Sequence, residues 1–116
     1  FLSSEYQWLP QQELRLTVDE AVRALTACGT ECGVIYRTTG PMRTSEVVRL
    51  FELLEIVAET TVDDLRSLFI SISDSAMDLS VECAADLLVV ASPEVTVRRE
   101  DGLWLVRTGI RGREDA

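Results

Sequence analysis

The sequence predicts an α+β fold, a two-layer sandwich in which a mixed, mostly antiparallel sheet is covered on one face by two long helices. Three observations lead to this prediction. Two stretches carry apolar residues at helical spacing, several short stretches alternate between polar and apolar residues, and Asp101-Gly102 separates two of the alternating stretches. The length of 116 residues, 47% of them hydrophobic, suits a single domain spanning residues 1–116.

The first helix is predicted to begin near Pro10, because proline fits the first turn of a helix, and to end before Gly29. Its apolar residues fall on one face: Leu14, Val18, Ala21, Val22 and Leu25. The stretch "ECGVIYRTTGP" then alternates in polarity before the Gly40-Pro41 breaker, which predicts a short strand and a turn.

A second helix is predicted after Thr44, a plausible N-cap, with Glu46 in the first turn where the helix dipole favours a negative charge. Its body is the stretch "LFELLEIVAETTVDDL" at positions 50–65. At 100 degrees per residue, four carboxylates fall within an arc of about 80 degrees, opposite an apolar face. These acidic residues are Glu52, Glu55, Glu59 and Asp63.

The remaining elements follow from alternation and turn residues. "SLFISIS" and "MDLSVEC" alternate around the turn "DSA" and predict a hairpin, and "AADLLVVASP" predicts a short helix ended by Pro93. "EVTVRREDGLWLVRTGI" predicts a second hairpin with Asp101-Gly102 at its turn, followed by a polar tail, "RGREDA".

Charge and composition disfavour several classes of partner. The net charge of -9 and the pI of about 4.4 repel nucleic acid and anionic lipid surfaces. The chain begins with Phe1, and no signal-like or membrane-length apolar segment follows, so we expect a cytoplasmic fragment of a longer protein without membrane contact of its own. The three cysteines at positions 28, 32 and 83 match no disulfide or zinc pattern and are expected to be reduced core thiols.

The residue types that are missing exclude much familiar chemistry. The sequence contains no histidine, lysine or asparagine, so all 11 basic residues are arginines. Histidine-dependent nucleophiles, histidine metal sites, Schiff-base lysines and the P-loop lysine are therefore excluded within this chain. Carboxylates remain for acid-base or metal chemistry.

The order of elements resembles a known family. A long helix, the strand "GTECGVIY", an acidic amphipathic helix, "RSLFISIS", a hairpin and a closing "DGLWLVRTGI" together resemble the ATP-binding domain of bacterial sensor histidine kinases. That domain belongs to the Bergerat-fold (GHKL-type) family, shared with gyrase-type ATPases. The likeness runs from about Glu13 to Ile110 and implies a Bergerat-like sandwich with Mg-ATP as its cofactor.

The resemblance also implies positions for the functional residues. The family's helix carries a glutamate that acts near the attacking water and, four positions later, an asparagine that holds magnesium. One alignment places Glu55 at the catalytic glutamate and Glu59 at the asparagine, and a shift by one turn places Glu59 and Asp63 there. Asp86 lies near the position of the family's adenine-reading aspartate, in an Asp-x-Gly-x-Gly segment that here reads "DLLVV".

The departures from the family indicate a degenerate site. Neither alignment supplies an asparagine, and no glycine occurs between Pro41 and Asp101, where the family has its lid and phosphate-cradling turn. We therefore expect a two-component signalling domain that binds no cofactor and transmits state through other domains of its parent protein, with a response regulator as a further candidate partner.

Two alternatives remain at the level of sequence. The chain could retain Mg-ATP binding and kinase activity through Glu55, Glu59, Asp63 and Asp86, or it could be an unrelated α+β interaction module whose acidic helix docks a basic partner. The simplest interpretation of the acidic stripe is a solvated helix face, and Asp86 could equally be a helix N-terminal residue.

Overall fold

The computed structural model describes residues 8–110, so the polar tail at 111–116 lies outside the described part of the chain. The helical elements are α1 (Gln11–Ala27), α2 (Thr44–Thr60) and a 3-10 helix (Leu87–Val90). The strands are β1 (Trp8–Leu9), β2 (Glu31–Arg37), β3 (Met42–Arg43), β4 (Ser67–Ser73), β5 (Ala76–Glu82), β6 (Val95–Glu100) and β7 (Leu103–Gly109). The predicted α+β class and order of the main elements are confirmed.

Five strands form the main sheet in the order β2-β4-β5-β7-β6. β2 and β4 are parallel, which requires a long crossover, and α2 lies within that connection. The other three pairs are antiparallel and comprise the two predicted hairpins and the β5-β7 pair. A second sheet, in which β1 pairs with β3, was not predicted because strands of two residues carry no periodicity.

One face of the main sheet forms the core, and both long helices pack on it. Every second residue of the central strands is buried, and Leu14 of α1 and Leu50 of α2, both fully buried, belong to the same cluster. The predicted two-layer arrangement is therefore confirmed. The large buried apolar residues of the three central strands are Leu68, Ile70 and Ile72 of β4, Met77, Leu79 and Val81 of β5, and Trp104 and Val106 of β7.

The opposite face of the sheet has no helix packed on it among the described residues. Ile35 is 54% exposed and Phe69 is 46% exposed on that face. The ring of Phe69 lies across Gly33, its partner on β2, so closely that a Cβ atom at Gly33 would sit 2.9 Å from two ring carbons. The small residue thus provides the space for the aromatic ring.

Positive backbone angles confirm the predicted chain reversals. Gly29 has φ +97° just after α1, where a left-handed residue commonly ends a helix. Asp101 and Gly102 have φ 52° and 81°, the pair of positive angles that the tight hairpin between β6 and β7 needs.

Neither long helix is suited to crossing a membrane. Within residues 8–110, no helix combines the length and the apolar character that a membrane span requires.

Candidate functional site

The outward face of α2 carries the predicted acidic residues. Glu52, Glu55 and Glu59 are all exposed, while Leu50 and Val57 on the other side of the helix are buried in the core. The amphipathic pattern of the sequence places them there, because burial of the apolar stripe fixes which side of the helix meets solvent. Exposed carboxylates on one side of a helix are available to a partner.

Asp63 does not continue this acidic stripe, so the prediction of one helix through position 65 is wrong. α2 ends at Thr60, and Asp63 adopts φ 75° in the turn that follows. Thr60, Thr61 and Val62 are β-branched, and the threonine hydroxyls donate to the carbonyls of Ile56 and Val57 at 2.8 and 2.7 Å. β-branching and such back-bonding both weaken a helix at its end.

Asp86 has a structural role in its own segment. Its side chain accepts a hydrogen bond from the backbone N–H of Leu88 at 2.9 Å and caps the 3-10 helix Leu87–Val90. This arrangement agrees with the interpretation of Asp86 as a helix N-terminal residue. The sequence predicted a short helix here, and the structure shows that this helix is of the 3-10 type.

The four predicted site residues therefore lie in three different settings. Glu55 and Glu59 occupy the outward face of α2, Asp63 lies in a turn beyond its end, and Asp86 caps another element. Across positions 8–110 the structure brings together no group of three or more cysteine, aspartate or glutamate side chains that could hold a metal ion.

A buried ion pair on α2 was missed at the sequence level. Glu46 has a side chain only 6% exposed, and its Oε1 lies 2.7 Å from Nη1 of Arg49, one turn further along α2. The guanidinium also donates to Oγ1 of Thr108 on β7 and lies 3.7 Å from Oε2 of Glu94. This network joins α2 to the end of β7 and to the segment before β6. Its one sequence signal is the i, i+3 spacing of an acid and a base.

A cleft lies beside this ion pair, between α2 and the segment from the 3-10 helix to β6. Its volume is about 260 Å³. That is below the range of about 300–1,000 Å³ found for pockets that hold drug-sized ligands. The lining residues are Arg49, Glu52, Leu53, Ile56, Val90, Ser92, Glu94, Val95 and Thr108.

The thiols of Cys32 and Cys83 do not resemble catalytic nucleophiles, whose pKa values are lowered by their surroundings. Burial raises the pKa of Cys83, and the negative charge of Asp64 adds to this effect. Burial also raises the pKa of Cys32, against an opposing hydrogen bond with Thr26. These two side chains are therefore held as neutral thiols at neutral pH.

Tyr36 anchors α1 to β2. Its hydroxyl donates to Oδ1 of Asp19 at 2.8 Å, and the guanidinium carbon of Arg15 lies 4.8 Å from the ring centroid. Burial raises the pKa of Tyr36 well above its usual value, and the hydrogen bond to Asp19 and its charge raise it further, against the opposing effect of Arg15. The phenol thus acts as a neutral hydrogen-bond donor between the two layers.

Comparison with known proteins gives a likeness at the level of structure. No family model matches the chain, and no curated protein matches it. The chain is similar to the Acinetobacter baumannii histidine kinase AdeS, with a TM-score of 0.48 and 12% sequence identity, over 96% of this chain and 70% of that chain. A likeness of this size assigns neither a site nor an activity to this chain.

Proposed function

We propose that this chain is a degenerate ATP-binding-like domain of a sensor-histidine-kinase-type signalling protein, one that transmits state by protein contacts in the cytoplasm without catalysis. The observation that carries the proposal is that Asp86 caps Leu88 in the 3-10 helix, whereas Glu55 and Glu59 lie on the outward face of α2. A nucleotide site needs its polar groups to converge on one pocket, whereas these serve separate elements.

The cleft beside α2 supports the same proposal. A volume of about 260 Å³ suits one or two side chains of a protein partner better than a nucleotide with its metal. Arg49 borders this space, but its guanidinium is already engaged by Glu46 and Thr108. A bound phosphate would have to compete with both partners for that cation.

The main elements give the proposal its family context. The described order of helix, strand, acidic helix, hairpin, short helix and hairpin is the order on which the resemblance to histidine kinase ATP-binding domains rests. Yet the 3-10 helix stands where that family has a glycine-rich segment, and no glycine lies between Pro41 and Asp101 to let backbone approach a phosphate. The resemblance thus favours a signalling module, and the departures from it favour one without a nucleotide.

Nucleotide titration with a thermal melt tests the proposal directly. ATP and ADP, each with and without magnesium, should leave the melting temperature of the chain unchanged at millimolar concentration. A ligand at 100 times its dissociation constant would stabilise the fold by about 2.7 kcal/mol, a shift that a melt resolves easily.

Two variants make the opposite outcome decisive. A magnesium-dependent rise in melting temperature that disappears in Glu59→Ala and in Asp86→Ser would contradict the proposal and establish a working Mg-ATP site. Serine is the right replacement at position 86, because it still caps a helix and so removes the carboxylate without removing the cap.

A further inference from the structure

We propose that the cleft between α2 and the 3-10 helix is the docking site for a basic amphipathic helix of a partner protein. The proposal deepens the function proposed above and rests on it, since it names the surface and the chemistry of the protein contact. Three properties of the surface carry it: its exposed apolar side chains, its charge, and the size of the cleft.

Apolar side chains are exposed on both helices that border the cleft. Ile56 on α2 is 45% exposed, and Leu88 and Val89 on the 3-10 helix are 54% and 74% exposed. Ile56 and Val90 line the cleft, and Leu88 and Val89 come directly before Val90 in the 3-10 helix. Apolar groups that remain in water around a concave site mark an interaction surface.

The charge around this apolar surface is negative. Glu52 lines the cleft, Glu55 and Glu59 continue the outward face of α2, and Glu94 lines the opposite side. Arg49 is the single basic residue of α2, and it is already paired with Glu46 and with Glu94. The surface therefore offers carboxylates without a free cation on the same helix, which favours a partner that brings the positive charge.

The spacing of these groups matches the binding of a helix. Glu52, Ile56 and Glu59 follow one another at i, i+4 and i+7 along the exposed side of α2. A partner helix laid alongside α2 would hold its own residues i and i+7 at the same separation of about 10 Å, so two of its basic residues could pair with Glu52 and Glu59. The cleft of about 260 Å³ would take one or two apolar side chains, and lysine or arginine on the flank of the partner would face Glu52 and Glu59 on α2.

Fluorescence anisotropy with a labelled synthetic peptide tests the site. The probe is an amphipathic helical peptide of leucine and lysine, and its charge control has glutamate at every lysine position. The whole chain should bind the basic peptide and not the acidic one, with an affinity that falls as salt is added. Ile56→Arg should weaken binding of the basic peptide by about tenfold or more, because it fills the apolar anchor position with a like charge.

A matched control separates the proposed site from general attraction to an acidic protein. Leu16→Arg makes the same change of apolar residue to arginine on α1, at a side chain 55% exposed. Leu16→Arg should leave the affinity for the basic peptide within about twofold of the wild-type value. Both variants add one positive charge to the chain, so any larger effect of Ile56→Arg cannot come from general electrostatic attraction. Val89→Ser is a second test variant. The side chain of Val89 is 74% exposed, so the substitution leaves the core intact and should also weaken binding of the basic peptide.

Each of the other results would overturn one of the two proposals. Equal loss of affinity in Ile56→Arg and Leu16→Arg would mean general charge attraction, and equal binding of the two peptides would mean non-specific hydrophobic adhesion. Self-association of the chain abolished by Ile56→Arg, measured by sedimentation without peptide, would make the surface a contact between copies. If the peptide does not bind and nucleotides leave the melting temperature unchanged, the docking inference alone is rejected. If nucleotides raise the melting temperature in the presence of magnesium, the proposed function is rejected.

Discussion

Arg49 Nη1 lies 2.7 Å from Glu46 Oε1 on the same helix, and the glutamate side chain is only 6% exposed. The pair sits where α2 meets the end of β7, because the guanidinium also reaches Thr108. A buried carboxylate is tolerated only when its charge is compensated. This ion pair therefore fixes the position of α2 on the sheet, and with it the orientation of the outward acidic face.

Arg49→Met should lower the free energy of unfolding by about 3 kcal/mol, because it leaves the carboxylate of Glu46 buried without its partner. The double variant Glu46→Met with Arg49→Met should recover most of that loss, since neither buried charge remains. Urea unfolding of the two variants beside the wild-type chain measures both effects. A loss below about 1 kcal/mol in the single variant would place the pair among weak surface ion pairs.

Asp63→Gly should raise the free energy of unfolding by about 0.5 to 1 kcal/mol, because Asp63 has φ 75°, a conformation that glycine adopts without steric cost. Glu59→Gly is the matched control, since Glu59 lies within the last turn of α2 and glycine there should cost about 1 kcal/mol. Thermal or urea unfolding compares the two. Equal destabilisation by both glycines would mean that position 63 is helical after all.

Glu52 and Asp63 show what the hydrophobic periodicity of the sequence can predict and what it cannot. Periodicity placed Glu52, Glu55 and Glu59 on the exposed side of α2 because the apolar stripe opposite them had to be buried. It could not locate the end of the helix, because no glycine or proline stops the stretch after Thr60, and the β-branched residues act only weakly.

The parts of the site that were missed depend on contacts distant in sequence. Arg49, the partner of Glu46, contacts Thr108, which lies 59 positions further along the chain. The sequence around Glu46 therefore does not show whether this residue is buried or lies on the surface in the first turn of the helix. The cleft arises in the same way, because it needs α2 and the segment before β6 to come together. Alternation predicted each strand of the main sheet, but the order of the strands is a property of tertiary packing.

Gly33→Ala should lower stability when residue 69 is phenylalanine and raise it when residue 69 is alanine. In the wild-type chain the added methyl would lie 2.9 Å from two ring carbons, so the ring must move and the variant should lose about 0.5 to 1 kcal/mol of stability. In a Phe69→Ala background the same substitution should gain about 0.5 kcal/mol, because alanine costs less backbone entropy than glycine in a strand.

A double-mutant cycle by urea unfolding measures this coupling between β2 and β4. Ile35→Ala alone is a suitable control on the same exposed face, since Ile35 lies opposite Ser71 and not opposite Phe69 in the register. Additive effects of Gly33→Ala and Phe69→Ala would show that the ring does not rest on the glycine in solution.

The three cysteines should react with a thiol reagent in a fixed order at neutral pH. Cys28 is exposed and should react first, Cys32 is half-buried and should follow slowly, and Cys83 is buried and should react only on unfolding. The reagent is attacked by the thiolate, and burial raises the pKa of Cys32 and Cys83, which lowers their thiolate fraction. Absorbance during reaction with a chromogenic disulfide follows the phases, and Cys28→Ser should remove the fast phase alone.

The same shifts predict a loss of stability in alkali. The pKa values of Cys32 and Cys83 are higher in the folded chain than in the unfolded one, so the unfolded chain loses these protons first as the pH rises. Their contribution to stability is complete below the usual thiol pKa of about 8.5 and falls as the pH rises through the folded values. Urea unfolding should show this decline, and Cys83→Ala, although less stable overall, should decline less steeply with pH. If the slope of stability against pH were identical in that variant, Cys83 would not contribute to the decline, and other groups, such as Tyr36, would have to account for it.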